Sequence, residues 1–245
     1  MASGLDTSYE LRSTQYMIQT QPYADFASAI LKVRFNDIML LVTAFTHRSY
    51  VNEHKKSTKD HNERLEFLGD AVLELVVTRY LYDNYDDNEG ILTNWRSALV
   101  RTESIGEAAA NSEFEPLLRL SRGEKKAGSE RARLQILANA YEAVVGALYL
   151  DQGYDTAREF IERTLLITFK DILKSGSWQD PKSQYQEVVQ SEEGFTPQYR
   201  VMNEEGPDHD KTFTVGVFVN DELRAQGQGP SKQSAQVAAA EKALN

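Results

Sequence analysis

The most informative stretch of the sequence is His61-Asn62-Glu63-Arg64-Leu65-Glu66-Phe67-Leu68-Gly69-Asp70-Ala71-Val72-Leu73. On a helix, Glu63, Glu66 and Asp70 share one face, because side chains three, four and seven positions apart lie above one another. Apolar residues take the opposite face and are expected to point into the core: Leu65, Leu68, Val72 and Leu75. Three carboxylates on one face repel one another unless a cation lies among them. The pattern therefore indicates either a cation site or a solvated acidic stripe paired with Arg64.

A second segment favours the cation site. Asn139 and Glu142 again place oxygen atoms three positions apart, in a helical pattern that is otherwise apolar as far as Leu150. Burying such polar groups is costly unless they have a partner. Two helices that present hard oxygen ligands describe a Mg²⁺ site, since this ion is bound by a few carboxylates together with water and substrate phosphate.

The period of the apolar residues divides the chain. Intervals of three and four predict an all-α domain over residues 23–174, after a flexible arm at residues 1–22. Residues 175–180 read as a short linker. Residues 181–245 then predict helix, three alternating strands and helix, a small α+β module whose last helix has Ser231 as N-cap.

Composition narrows the class of protein. The 245 residues contain no cysteine, which excludes disulfides, thiolate nucleophiles and cysteine-bound zinc. No apolar run reaches the roughly 18 residues that cross a bilayer, and the N-terminus has no secretory pattern, so a cytoplasmic protein without a membrane partner is expected. The net charge of −10, from 27 basic and 37 acidic residues, by itself argues against a nucleic-acid partner.

The stretch around Glu66 nevertheless resembles the signature segment of the ribonuclease III family. Residues 46–50, 99–101 and 136–151 support the resemblance, which covers residues 26–244. The C-terminal module is similar to the double-stranded-RNA-binding domain that bacterial members carry. With one nuclease segment and one such module, the chain resembles the simple bacterial class.

The resemblance implies roles for individual residues. The metal-binding and catalytic positions are matched by Glu66, Asp70, Asn139 and Glu142. Glu63 matches an accessory acidic position at the mouth of the cleft. Phe67 matches an aromatic residue that inserts into a partner subunit, which implies a homodimer; an ordinary core aromatic is the alternative from sequence alone.

The implied activity is endonucleolytic hydrolysis of double-stranded RNA, including ribosomal and other structured precursors. Two Mg²⁺ ions, for which Mn²⁺ can substitute, would activate water and stabilise charge on the attacking and leaving oxygens. Each strand would be left with a 5′-phosphate and a short 3′ overhang. No small-molecule cofactor is implied. The alternative is a double-stranded-RNA-binding protein that does not cleave.

Asn139 is where the chain departs from the family, which usually has aspartate at this position. Three interpretations stay open: a tolerated natural variant, an engineered change that traps substrate, or a lineage that binds RNA without cutting it. Retention of four mutually repelling carboxylates argues against the last, because a decayed site has no physical reason to keep them.

In the module, the resemblance assigns RNA contacts to Ser183, Gln186, Glu187, His209, Lys211 and Lys232. The first three would meet 2′-hydroxyls and base edges, His209 would enter a second minor groove from the loop at 207–211, and Lys232 would hold a phosphate. The module has six basic and ten acidic residues, a net charge of −4. The last helix lacks the usual run of lysines, which predicts weaker and less salt-dependent binding than is usual for such modules. A protein-binding adaptor of the same fold is the alternative.

Overall fold

The computed structural model describes residues 20–55, 59–127, 129–176, 178–207 and 211–245. The chain divides into two compact units, Met1–Lys174 and Ser175–Asn245. Within the described residues, no helix combines the length and the apolar character needed to span a membrane.

The first unit is helical, as predicted. The chain is already helical at residues 20–26 and ends this helix, α1, in a π-helical turn at Ala27–Leu31. The following helices are α2 (Ile38–Ala44), α3 (Arg48–Glu53), α4 (Glu63–Asn84), α5 (Glu89–Leu99), α6 (Thr102–Asn111), α7 (Arg122–Ala127), α8 (Glu130–Gln152), α9 (Tyr154–Thr164) and α10 (Phe169–Ser175). Short 3₁₀ turns occupy Glu115–Leu117 and Leu166–Thr168. Of the expected arm at 1–22, residues 20–22 belong to α1 and the rest lies outside the described residues.

Polar caps explain where several of these helices begin. The Asp37 side chain accepts a hydrogen bond from the Met39 amide at 2.9 Å and starts α2. Ser129 does the same for the amide of Ala132 and starts α8. Each bond satisfies an amide that has no partner within its own helix. The carboxylate of Asp151, at the other end of α8, accepts from the amide of Asp37 and so joins the two helices.

Helix α8 runs through the core of this unit. Ten of its residues are buried, and the ring of Tyr141 lies among other buried aromatic rings, 5.1 Å from that of Phe160 and 5.9 Å from that of Phe114. Such tilted and stacked ring contacts add to the stabilisation from buried apolar area. The long helix α4 packs along α8 and buries its own apolar stripe there.

One expectation for α4 is wrong. Leu75 is 57% exposed and Leu68 is only partly buried, although both were expected in the core with Leu65 and Val72. The buried stripe runs instead through Leu65, Gly69, Val72, Leu73, Val76, Val77 and Leu81. It passes through Gly69 because α8 approaches α4 most closely there, and this turns Leu75 away from the core.

The second unit has the predicted order of elements. Helix α11 (Pro181–Glu192) is followed by β1 (Gln198–Glu205), β2 (Thr212–Val219), β3 (Glu222–Gly229) and α12 (Lys232–Leu244). The strands form an antiparallel sheet in the order β1-β2-β3. Its core joins Tyr185 and Val189 of α11, Val217 and Val219 of β2, and Ala239 and Ala240 of α12. Ser231 caps α12 through a reciprocal pair of bonds with Ser234, which confirms the predicted N-cap.

Candidate active site and RNA-binding surface

Two glycines bring α4 and α8 together. A Cβ atom on Gly69 would lie 1.7 Å from the carbonyl oxygen of Glu142, and one on Gly146 would lie 2.3 Å from the carbonyl oxygen of Leu65. The backbones therefore touch where a side chain would hold them apart. This contact places the carboxylates of α4 beside the carboxylate of α8.

Glu66, Asp70 and Glu142 form the acidic centre of this contact. Burial, followed by the charges of Asp70 and Glu66, raises the pKa of Glu142 to about 8. Burial, followed by the charges of Glu63 and Asp70, also raises the pKa of Glu66 above its ordinary value. The structure therefore brings together the carboxylates that sequence reasoning had placed on separate helices. We define Glu66, Asp70 and Glu142 as the carboxylate cluster.

Glu63 lies at the edge of this arrangement. It is the first residue of α4, where the helix dipole favours an acidic side chain. Its carboxylate is exposed and lies 3.5 Å from Nη1 of Arg48 and 3.8 Å from Nδ1 of His61. Glu63 therefore lies beside basic side chains, whereas the charges that raise the pKa of Glu142 belong to acidic side chains.

Asn139 is partly buried one helical turn before Glu142. Its Oδ1 accepts a hydrogen bond from Nε2 of Gln135 at 2.7 Å. The hydroxyl of Thr102 lies 3.5 Å from Oε1 of Gln135. Gln135, four residues earlier on α8, therefore orients the amide of Asn139 and is itself in contact with Thr102 of α6.

The donor chemistry of the carboxylate cluster fits a hard divalent cation. In the described part of the chain, no three His, Cys, Asp or Glu side chains already stand close enough to enclose an ion. Burial first, and then the charges of neighbouring carboxylates, raise the pKa values of Glu66 and Glu142, so a positive charge at this place would be favourable. A divalent cation bound by a few oxygens would supply that charge.

Phe67 does not belong to the core. Its side chain is 82% exposed, so the alternative of an ordinary core aromatic is wrong. It borders an open groove of about 800 Å³ whose lining includes Met39, Leu40, Leu68 and Leu150. A large exposed aromatic beside an apolar groove is typical of an interaction surface.

In the second unit, Ser183, Gln186 and Glu187 lie on the exposed side of α11. They are spaced at i, i+3 and i+4, which puts them on one helical face. The hydroxyl of Ser183 donates to Oδ2 of Asp180 at 2.9 Å, and Asp180 also accepts from the amide of Ser183. Asp180 thereby caps α11 and fixes the serine.

Lys211 and Lys232 share an acidic neighbour. Nζ of Lys232 is 3.2 Å from Oε1 of Glu204, and Nζ of Lys211 is 4.0 Å from Oε2 of the same residue. Lys232 is the first residue of α12, as predicted. His209 lies outside the described residues.

Sequence reasoning missed four residues of these sites: Gly69, Gly146, Gln135 and Glu204. The two glycines carried a signal, because a glycine within a helix costs about 1 kcal/mol relative to alanine and needs a reason such as close packing. Gln135 carried a weak signal, since it lies four residues before Asn139, the spacing at which glutamine and asparagine hydrogen-bond on a helix. Glu204 carried none, since its lysine neighbours lie near it only because three separate elements converge.

Comparisons with known proteins agree with this geometry. The family model for "Ribonuclease-III-like" matches residues 37–169, and that for "Double-stranded RNA binding motif" matches residues 181–245. The chain is 46% identical over 211 residues to Ribonuclease 3 of Enterococcus faecalis, which covers 86% of this chain and 91% of that protein. It is 45% identical over 216 residues to Ribonuclease 3 of Carboxydothermus hydrogenoformans, with 88% of this chain and 92% of that protein covered.

A solved structure also resembles the first unit of the chain. The chain is 37% identical to the nuclease domain of ribonuclease III from Campylobacter jejuni, with a TM-score of 0.53, covering 60% of this chain and 98% of that domain. That domain has structural flexibility in a region involved in dimer formation.

A helical nuclease domain with an acidic centre, followed by a double-stranded RNA binding motif, defines the class of the double-stranded-RNA endoribonucleases. The chain belongs to the ribonuclease III family. This family depends on metal ions for catalysis.

Proposed function

We propose that the chain hydrolyses phosphodiester bonds in double-stranded RNA at the carboxylate cluster. The observation that carries the proposal is the contact of α4 with α8 at Gly69 and Gly146, which holds carboxylates from both helices against their mutual repulsion. Folding energy is spent on this arrangement, so a cation-dependent role explains it better than a solvated acidic stripe does.

In this proposal, Glu66, Asp70 and Glu142 hold divalent metal, together with the amide oxygen of Asn139. Bound Mg²⁺, or Mn²⁺ in its place, would activate water and stabilise charge on the scissile phosphate. Glu142 has to give up its proton first, because its pKa is raised to about 8 and only the carboxylate is a good ligand. Glu63 lies at the mouth of the cleft, where Arg48 limits the repulsion between Glu63 and the RNA backbone.

The second unit supplies the recognition of the duplex. Modules of this kind read the shape of A-form RNA across about 16 base pairs. We assign contacts with the minor groove to Ser183, Gln186 and Glu187, whose exposed face on α11 suits 2′-hydroxyl groups, which both donate and accept hydrogen bonds. Lys211 and Lys232 are assigned to phosphates, and His209 to a second minor groove.

The proposal includes a homodimer in which the exposed Phe67 contacts the partner subunit. A two-fold axis would relate one carboxylate cluster to the other and so pair the cuts on the two strands. The proposed substrates are structured RNA precursors in the cytoplasm, including ribosomal precursors.

The experiment is to incubate the full chain with an end-labelled RNA duplex and Mg²⁺, beside E142Q and E159Q. Glu159 is an exposed glutamate of α9 and controls for the loss of one charge. We expect the unchanged chain and E159Q to release products with 5′-phosphates and short 3′ overhangs, and E142Q to lose at least about 100-fold in rate. If the unchanged chain binds the duplex and leaves it intact, the alternative of a non-cleaving binding protein replaces this proposal.

A further inference from the structure

Glu204 occupies the position between the two lysines that are assigned to phosphates. It lies on β1, whereas Lys211 directly precedes β2 and Lys232 opens α12, so three elements converge on one carboxylate. Lys232 also lies over the ring of Phe213, with Nζ 5.6 Å from the ring centre. Phe213 is the residue opposite Glu204 in the β1–β2 ladder, which fixes the glutamate and the lysine on the same part of the sheet.

This carboxylate competes with RNA for both lysines. A phosphate that contacts Lys232 comes close to the negative charge of Glu204, whose Oε1 lies 3.2 Å from the ammonium group. Exposed ion pairs of this kind contribute about 0–1 kcal/mol, so the pair can be broken by RNA, but the repulsion between carboxylate and phosphate remains after it is broken.

Three of the other four basic residues of the module are engaged elsewhere. Arg200 pairs with Asp221, and Arg224 pairs with Glu193 at 2.6 Å. Nζ of Lys182 donates to Oε1 of Gln236 at 2.7 Å. Among these contacts, Glu204 differs because the lysines it holds are those expected to meet the RNA backbone.

We infer that Glu204 lowers the affinity of this module for RNA by neutralising Lys211 and Lys232. With these charges offset, binding depends more on 2′-hydroxyl and groove contacts and less on counterion release, and its dependence on salt becomes shallow. This role of Glu204 rests on the proposed RNA-binding function of the module.

The test compares E204Q with E205Q in the full chain. Both substitutions remove one negative charge, but Glu205 accepts a hydrogen bond from Asn203 and has no lysine neighbour among the ion pairs of the described residues. Binding to an RNA duplex of about 20 base pairs, slightly longer than the span of such a module, is measured in EDTA so that the duplex stays intact. The salt concentration is varied from 50 to 200 mM, the range over which counterion release is readily seen.

We expect E204Q to bind about three- to tenfold more tightly than E205Q at the lower salt concentration. The slope of log K against log salt should steepen by about one unit for each lysine that gains a phosphate. Equal affinities and equal slopes for E204Q and E205Q would overturn the inference.

A second comparison protects the test against indirect effects. K232Q should weaken binding little in the unchanged chain, where Glu204 already offsets the lysine, and should remove about half or more of the gain in the E204Q background. A loss of the same size in both backgrounds would show that Glu204 does not act through Lys232. If the unchanged chain fails to bind duplex RNA at all, the proposed function fails; if it binds and E204Q behaves as E205Q does, only this inference fails.

Discussion

At the scale of single residues, Asn139 decides how much charge the site offers a cation. Its amide oxygen can serve as a ligand, but it adds no negative charge to the carboxylate cluster. N139D should therefore lower the Mg²⁺ concentration for half-maximal cleavage by about tenfold, the size of effect common when one group around a metal changes. The control is N111D, which makes the same change on the exposed end of α6. If only N139D cuts RNA, the unchanged chain is a binding protein with a disabled site.

Glu142 makes the metal-free protein sensitive to pH. Because its pKa is raised to about 8 in the folded chain, from an ordinary value of 4.5, folding favours the protonated form. The stability that this group contributes is full below pH 4.5 and is lost as the pH rises through about 8. In EDTA, the melting temperature of the unchanged chain should therefore fall between pH 6 and 9 relative to that of E142Q. Added Mg²⁺ should reverse the difference at pH 9. A melting temperature that changes with pH in the same way for both proteins across this range would contradict the raised pKa of Glu142.

At the scale of elements, the crossing of α4 and α8 depends on the absence of side chains at Gly69 and Gly146. G69A would place a methyl group 1.7 Å from the carbonyl oxygen of Glu142, so the helices must separate. Overpacking of this kind should outweigh the gain of about 1 kcal/mol in helix propensity and lower the free energy of unfolding by about 2 kcal/mol or more. The measurement is urea unfolding beside G123A, where a methyl group meets no atom closer than 3.9 Å. A stabilised G69A would show that the contact is looser than described.

The elements themselves were largely predictable, whereas their contacts were not. Apolar period and capping residues predicted the long helices and the α-β-β-β-α module, because both signals are local in the sequence. Leu75 was assigned wrongly since the spacing of its own helix cannot show where the neighbouring helix approaches. The acidic neighbour of Lys232 could not be predicted for a related reason, because Glu204 reaches it from another element. The contact of Gln135 with Asn139 is local, and its spacing of four residues on one helix permits it.

For the assembled protein, the two cuts expected in a duplex require two copies of the active site. Each chain contains one complete copy. Glu66, Asp70 and Glu142 all come from one chain, so a monomer would retain one carboxylate cluster and one RNA-binding module. Loss of the dimer should therefore turn paired cuts into slower nicks in single strands, and leave the fold intact. Phe67 is the residue on which this prediction depends, because its ring is 82% exposed beside the apolar groove at Met39 and Leu150.

F67A should weaken the dimer by roughly a thousandfold. A buried aromatic anchor contributes about 2 kcal/mol, and this loss occurs twice because both subunits of a symmetric dimer carry the substitution. Sedimentation equilibrium over a range of protein concentrations measures this shift, and gels that separate nicked from fully cut duplex measure its consequence. Y82A is the matched control, since Tyr82 is an aromatic residue of the same helix with 75% of its side chain exposed. A dimer that survives F67A but dissociates in Y82A would move the subunit contact to the far end of α4. A dimer unaffected by either substitution would place the contact away from this face, and Phe67 would then need another partner.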